Sequence, residues 1–199
     1  EDVQGNKHGH FQCRRSKDLV NWEYMGATMY GLPSWVQPKL NEIRKAMGLN
    51  NSTANFSDDL QFGYWAPCAR KVKDGLYRMY YCITCPGYID PTKTSWGERA
   101  FIGVMETTDP SDLSKWEDKG YVVTNYSDRD LSKIYVSPTA WESCYYKYNA
   151  IDPSYIITPE GEHWLIYGSW HSGFAAVEIN PETGKTKADQ GNPWGAENE

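Results

Sequence analysis

The 199-residue sequence is 40% hydrophobic and 23% charged, which suits a globular domain with a sizeable core and excludes a disordered chain. A net charge of −6 without any Lys/Arg-rich run argues against nucleic acid as a partner, and no apolar stretch approaches the ~18 residues of a membrane span. Aromatic residues reach 15%, a bias produced either by strand-rich structure or by flat faces that pack on sugar rings.

The opening residues, Glu1-Asp2-Val3-Gln4-Gly5, read as the middle of a domain, so secretion is undecided by this end. A strand is expected at 10–15 and another at 23–25. Between them lies Asp18-Leu-Val-Asn-Trp22-Glu23, which returns as Asp112-Leu-Ser-Lys-Trp116-Glu117. A short helix is expected at 38–47: Pro38 suits a first turn, Leu40, Ile43 and Met47 share a face, and Gly48 can end it. The Asn/Ser-rich stretch 50–59 reads as a loop.

A second repeat follows. Trp65-Ala-Pro67 leads through Asp74-Gly75 to Tyr81, and Ile151-Asp-Pro153 leads through Glu160-Gly161 to Tyr167. Each copy reads as strand, acidic-Gly turn, strand. Third strands are expected at 101–106 and 174–179, and a fourth at 121–124, with a loop at 125–148. Four short antiparallel strands per unit, repeated at irregular intervals, predict an all-β chain of propeller blades with long insertions. Residues 62–124 should form one whole blade and 149–179 most of the next, giving about two and a half blades. A small β-sandwich accounts for the strands but not for the repeats.

Five cysteines are present: Cys13, Cys68, Cys82, Cys85 and Cys144. Cys82-Ile-Thr-Cys85 has CxxC form, but it has no second CxxC and no nearby His pair, and it ends an apolar run. Buried free thiols are the expected state.

Tyr148-Asn-Ala-Ile-Asp-Pro-Ser154 resembles the Asn-Ala-Ile-Asp-Pro motif of family 43 endo-α-1,5-L-arabinanases. Gly168-Ser-Trp-His-Ser-Gly173 is similar to their Gly-Ser-Phe-Trp-x-Gly segment. Ile102-Gly-Val-Met-Glu resembles the Ile-Gly-Leu-Ala strand of the preceding blade, and Tyr64-Trp-Ala-Pro67 resembles their Trp-Ala-Pro-Asp motif. The resemblance runs in order along nearly the whole chain. It implies a five-bladed β-propeller, of which residues 1–199 are part of a single glycosidase domain truncated at both ends.

An inverting glycosidase needs a carboxylate base to activate water and a carboxylic acid to protonate the leaving oxygen. That acid must hold its proton near neutral pH although an isolated Glu titrates at ~4.3, and a neighbouring ionised Asp raises its pKa by repulsion. The resemblance puts the family's pKa-modulating Asp at Asp152. It puts the base upstream of Glu1 and the acid downstream of Glu199, so this chain is expected to lack both; Asp2, Glu197 and Glu199 are not nominated.

By the same resemblance, Asn149, Ala150 and Ile151 would line the floor of the central pocket beside Asp152, followed by Ser169, Trp170 and His171. Gly103 would permit close approach of a sugar, and Trp65 would offer a stacking face or serve as a core residue. Two positions depart from the pattern. Cys68 replaces the Asp of Trp-Ala-Pro-Asp, removing a polar contact or cap, and His171 stands where Trp is usual. No cofactor is required. The family often holds a cation in the central channel through a His of a later blade; His171 is not that position, so no metal is assigned here.

The expected activity is hydrolysis of α-1,5-linked arabinan with inversion, acting on plant cell-wall polysaccharide outside the cell or in the periplasm. The rival readings are another family 43 activity, arabinofuranosidase or β-xylosidase, and a non-catalytic carbohydrate-binding propeller.

Overall fold

Gly75 and Gly161 each close a hairpin with φ of 73° and 85°, the left-handed geometry a tight acidic-Gly turn requires. These hairpins belong to a computed structural model that describes residues 9–46, 62–84, 100–124, 149–168 and 173–187. Three antiparallel sheets result. β1 (Gly9–Arg15) pairs with β2 (Glu23–Tyr30). β3 (Gly63–Lys73), β4 (Leu76–Thr84), β5 (Ala100–Thr107) and β6 (Glu117–Thr124) form a four-stranded meander in chain order. β7 (Ser154–Ile157), β8 (His163–Gly168) and β9 (Phe174–Glu178) form the third sheet. The four-stranded sheet occupies the span that the repeats assign to one unit.

β2 continues five residues past the expected 23–25, because Ala27, Thr28 and Met29 are buried and keep pairing with β1. The helix α1 (Val36–Ala46) begins two residues before the expected 38–47. Its start is fixed by Val36 and Leu40, both fully buried, and Pro38 still falls in the first turn, where a missing N–H costs nothing. The Ile43 side chain, Met47 and Gly48 lie outside the described residues. Among the described residues no helix is long and apolar enough to cross a membrane.

The middle sheet is covered on both faces, so β4 is almost wholly buried rather than alternating. Tyr80, Cys82, Ile102 and Val104 face the third sheet and pack with Tyr155, Leu165, Tyr167 and Val177. Met79, Tyr81, Ile83 and Phe101 face the first sheet and α1, packing with Phe11, Met29, Val36 and Leu40. A sequence alternating apolar residues of two kinds thus joins two cores through one sheet.

Polar anchors lock the second and third sheets in register. Arg78, fully buried, donates to Glu106 Oε1 at 2.7 Å, to the Tyr155 hydroxyl at 3.2 Å and to the Pro181 carbonyl at 3.0 Å. Tyr155 also meets His163 Nδ1, and Tyr80 donates to the Gly184 carbonyl at 2.8 Å. Lys185 Nζ donates to the carbonyls of Lys119 and Tyr121, both at 2.6 Å. Arg78, Tyr80, Tyr155 and Lys185 thus each bring a polar group to a partner, as burial demands.

The two Asp-Leu-x-x-Trp-Glu copies both lead into the last strand of their sheet, β2 and β6. Their surroundings differ. Leu113 forms part of a 3-10 turn and lies against β2 near Gly26, and Trp116 packs on the apolar core there. Leu19 instead has φ 62° and is 78% exposed, and Trp22 is half exposed.

Candidate active site

β3 and β7, the first strands of the second and third sheets, lie in contact. Each carries a residue–proline step, inside β3 and just before β7. In β3 the ladder breaks between Trp65, paired with Cys82, and Cys68, paired with Tyr80, leaving Ala66 and Pro67 as an irregularity opposite Tyr81. Before β7, Asp152 stands at φ 51° ahead of Pro153. The Asp152 segment is tied to its own sheet by Gly168 N–H, which donates to the Ile151 carbonyl at 3.0 Å, and the Ile151 N–H donates to Asn149 O at 2.8 Å.

Asp152 is exposed, and Trp65 keeps 39% of its surface open. The three residues before Asp152 are buried. Ala150 and Ile151 join the apolar core between the sheets rather than an open surface. Asn149 is 2% exposed, and its Oδ1 has no hydrogen-bond partner among the described residues. The sharp left-handed turn thus sends one carboxylate outward from a buried segment.

Two sulfur atoms lie behind this turn. The Cys82 thiol donates to the Trp65 carbonyl at 3.4 Å, and the Asp152 N–H lies within its reach. Burial pushes this thiol up to about 12, so it stays protonated at neutral pH. Cys68 Sγ accepts the Tyr155 N–H at 3.4 Å, satisfying a donor on the exposed edge of β7. Whether Cys68 removes a polar contact or a cap made by the family's Asp is a separate matter; its own sulfur makes this one contact, because a thiol is a weak but usable acceptor. Cys13, Cys68 and Cys82 are free thiols, and Cys85 and Cys144 lie outside the described residues.

Gly103 serves a different purpose from the expected close approach of a sugar. A Cβ there would meet the Tyr81 Cζ and hydroxyl at 2.4 Å, so its missing side chain makes room for a buried tyrosine of the neighbouring strand. Ser169, Trp170 and His171 lie outside the described residues, as do Asp2, Glu197 and Glu199. The structure therefore keeps Asn149, Ala150, Ile151 and Asp152 on one segment, links it through Cys82 to the Trp65 carbonyl, and packs Gly103 against Tyr81. Cys82 and Cys68 carry no signal of this position in the sequence beyond their apolar surroundings.

The family profile of glycosyl hydrolases family 43 matches residues 4–197. An extracellular endo-α-(1→5)-L-arabinanase of Thermotoga petrophila is 30% identical over 184 residues, 92% of this chain and 34% of the relative. An extracellular exo-α-(1→5)-L-arabinofuranosidase of Cellvibrio japonicus is 27% identical, covering 84% of this chain and 37% of its own length. The crystal structure of the endo-1,5-α-L-arabinanase of Thermotoga petrophila in complex with TRIS superposes with a TM-score of 0.55 at 25% identity, over 93% of this chain and 37% of that one. An α-L-arabinanase of Cellvibrio cellulosa complexed with arabinohexaose gives a TM-score of 0.55 at 24% identity, over 89% of this chain and 44% of that one. The chain thus spans about a third of the length of these curated relatives.

Proposed function

The chain belongs to glycosyl hydrolase family 43, and from that premise we propose that the protein hydrolyses α-1,5-linked arabinan with inversion, as part of a five-bladed propeller. The observation that carries this reading is the exposed Asp152 carboxylate, projected by a left-handed turn from an otherwise buried Asn-Ala-Ile-Asp-Pro segment. In this reading the two-, four- and three-stranded sheets correspond to the end of one blade, a whole blade and most of a third. The length of the relatives supports a larger parent domain, in which the chain is one continuous part.

Asp152 acts as the carboxylate that keeps the catalytic acid protonated. An ionised neighbour makes loss of that acid's proton more costly, and the leaving oxygen can then be protonated near neutral pH. Trp65 presents an aromatic face to a sugar ring. Asn149 Oδ1 supplies an acceptor at the pocket floor, and the family resemblance assigns Ser169, Trp170 and His171 to substrate binding as well. The extracellular names of the relatives support action outside the cell on plant cell-wall arabinan.

The test is to incubate the full-length protein with linear α-1,5-arabinan and follow the first product by proton NMR. Initial release of the β-configured hemiacetal supports the proposal. No release from arabinan, with turnover only of β-xylosides, refutes it. The exo-acting relative favours a second reading, release of single arabinofuranose units. A product ladder of oligosaccharides at early times separates endo from exo action. A carbohydrate-binding protein without turnover would bind arabinan and leave it intact.

A further inference from the structure

Asp152 occupies a conformation that the chain does not favour by itself. A non-glycine residue at positive φ costs on the order of 1–3 kcal/mol, and such a residue persists only where its surroundings over-determine it. The segment's own sheet supplies one restraint, Gly168 N–H to Ile151 O. From the neighbouring sheet, two sulfur atoms also reach this segment. Cys82, fully buried on β4, touches the Trp65 carbonyl on one side and the Asp152 main chain on the other. Cys68 on β3 takes the Tyr155 N–H, three residues past Asp152.

We infer that Cys82 and Cys68 are positioning residues: two thiols of the middle sheet clamp the Asp152 turn and set where its carboxylate points. The inference rests on the role given to Asp152 above. Cys82 couples that turn to the Trp65 main chain of β3. Neither sulfur touches substrate. Cys82 has no exposed surface, and its high pKa leaves no thiolate to react. Their effect on turnover passes through the Asp152 carboxylate.

The test uses the full-length enzyme and the pH profile of kcat on linear arabinan. Cys82→Val keeps an apolar side chain of similar bulk and removes the donor and acceptor. Because a misplacement of about 1 Å can cost ~10²-fold, kcat should fall ~10- to 100-fold with little change in KM. The basic limb of the profile should move to lower pH, since a displaced Asp152 holds the acid's proton less well. Cys82→Ser, which restores a donor and an acceptor, should recover most of both. In an Asp152→Asn background Cys82→Val should cost less than about twofold more, because two residues acting through one carboxylate are not additive.

A Cys82→Val enzyme with an unmoved basic limb, or losses that multiply with Asp152→Asn, overturns the inference while leaving the role of Asp152 intact. An Asp152→Asn enzyme with wild-type turnover refutes that role, and the inference with it. Should Cys82→Val not fold, Cys68→Ala opens the clamp from its partly exposed side. The same downward shift of the limb supports the inference, and an unmoved limb overturns it.

Discussion

Ala66 and Asp152 share one backbone geometry: φ is 47° at the first and 51° at the second, and each directly precedes a proline. A residue before proline is ordinarily held to extended conformations, so both positions are unusual twice over. They stand at matching points of the two Trp/Ile-x-Pro repeats, at the first strands of the second and third sheets. The repeat therefore carries a strained turn as a common feature, and only the third sheet places a carboxylate on it.

Asp152→Asn keeps the size of the side chain and removes its charge. In the full-length enzyme, turnover of linear arabinan should fall by ~10²–10⁴-fold, the range of general acid–base contributions. An activated aryl arabinofuranoside, whose leaving group needs little protonation, should lose less. Steady-state rates on both substrates, with circular dichroism to confirm folding, decide the matter. Equal losses would assign Asp152 to sugar positioning instead.

Ala66→Gly tests whether the shared turn is strained where the turn residue itself carries no functional side chain. Left-handed backbone costs a non-glycine residue ~1–2 kcal/mol, and glycine's extra unfolded-state freedom returns ~0.5–1 kcal/mol of that. The variant should be more stable by up to ~1 kcal/mol in a urea titration, with arabinan turnover unchanged. A loss of stability would show that the Ala66 methyl is needed for packing.

Gly103→Ala separates packing from sugar contact. The new Cβ would meet Tyr81, which cannot swing away freely because its hydroxyl donates to Asp118 Oδ1 at 2.6 Å. Overpacking of this kind costs ~1–3 kcal/mol. The melting temperature should drop while KM for arabinan stays constant. A raised KM at unchanged melting temperature would return Gly103 to the sugar site.

His163 predicts how stability responds to acid. Burial, and then the nearby Arg78 charge, lower its pKa, opposed by Glu182, and Tyr155 meets its Nδ1. The unfolded chain therefore takes up this proton first as the pH falls below ~6.5. Stability from the neutral imidazole is present above that value and is lost as the pH falls toward the native-state pKa. Urea midpoints taken stepwise from about pH 7.5 to about pH 5 should decline, and His163→Gln should flatten that decline. An identical slope in the variant would place the acid sensitivity elsewhere.

Local chemistry made much of the fold legible. The Asp74-Gly75 and Glu160-Gly161 turns and the apolar runs beside them fix the hairpins, because turn geometry and side-chain alternation depend on adjacent residues only. The same holds for α1, read from Pro38 and Leu40, although its start moved to Val36 once tertiary burial of that residue was included. The packing role of Gly103 was not legible for the opposite reason: the residue that fills its space, Tyr81, is on another strand, and only the register Tyr81 with Gly103 brings them together.

The sequence by itself determined which segments pair into sheets, where Asp152 lies along the chain, and that its motif resembles a family of glycosidases. Only the tertiary structure decided what surrounds Asp152: that the residues leading to it are buried while its carboxylate is exposed, and that Cys82 and Cys68 stand behind it. The reason is physical. Pairing within a sheet follows from local turns and alternation, whereas contacts between sheets depend on how two separately formed surfaces settle against each other. Tyr155 meets a sulfur 87 positions away in the chain, and no pattern near either residue encodes that distance.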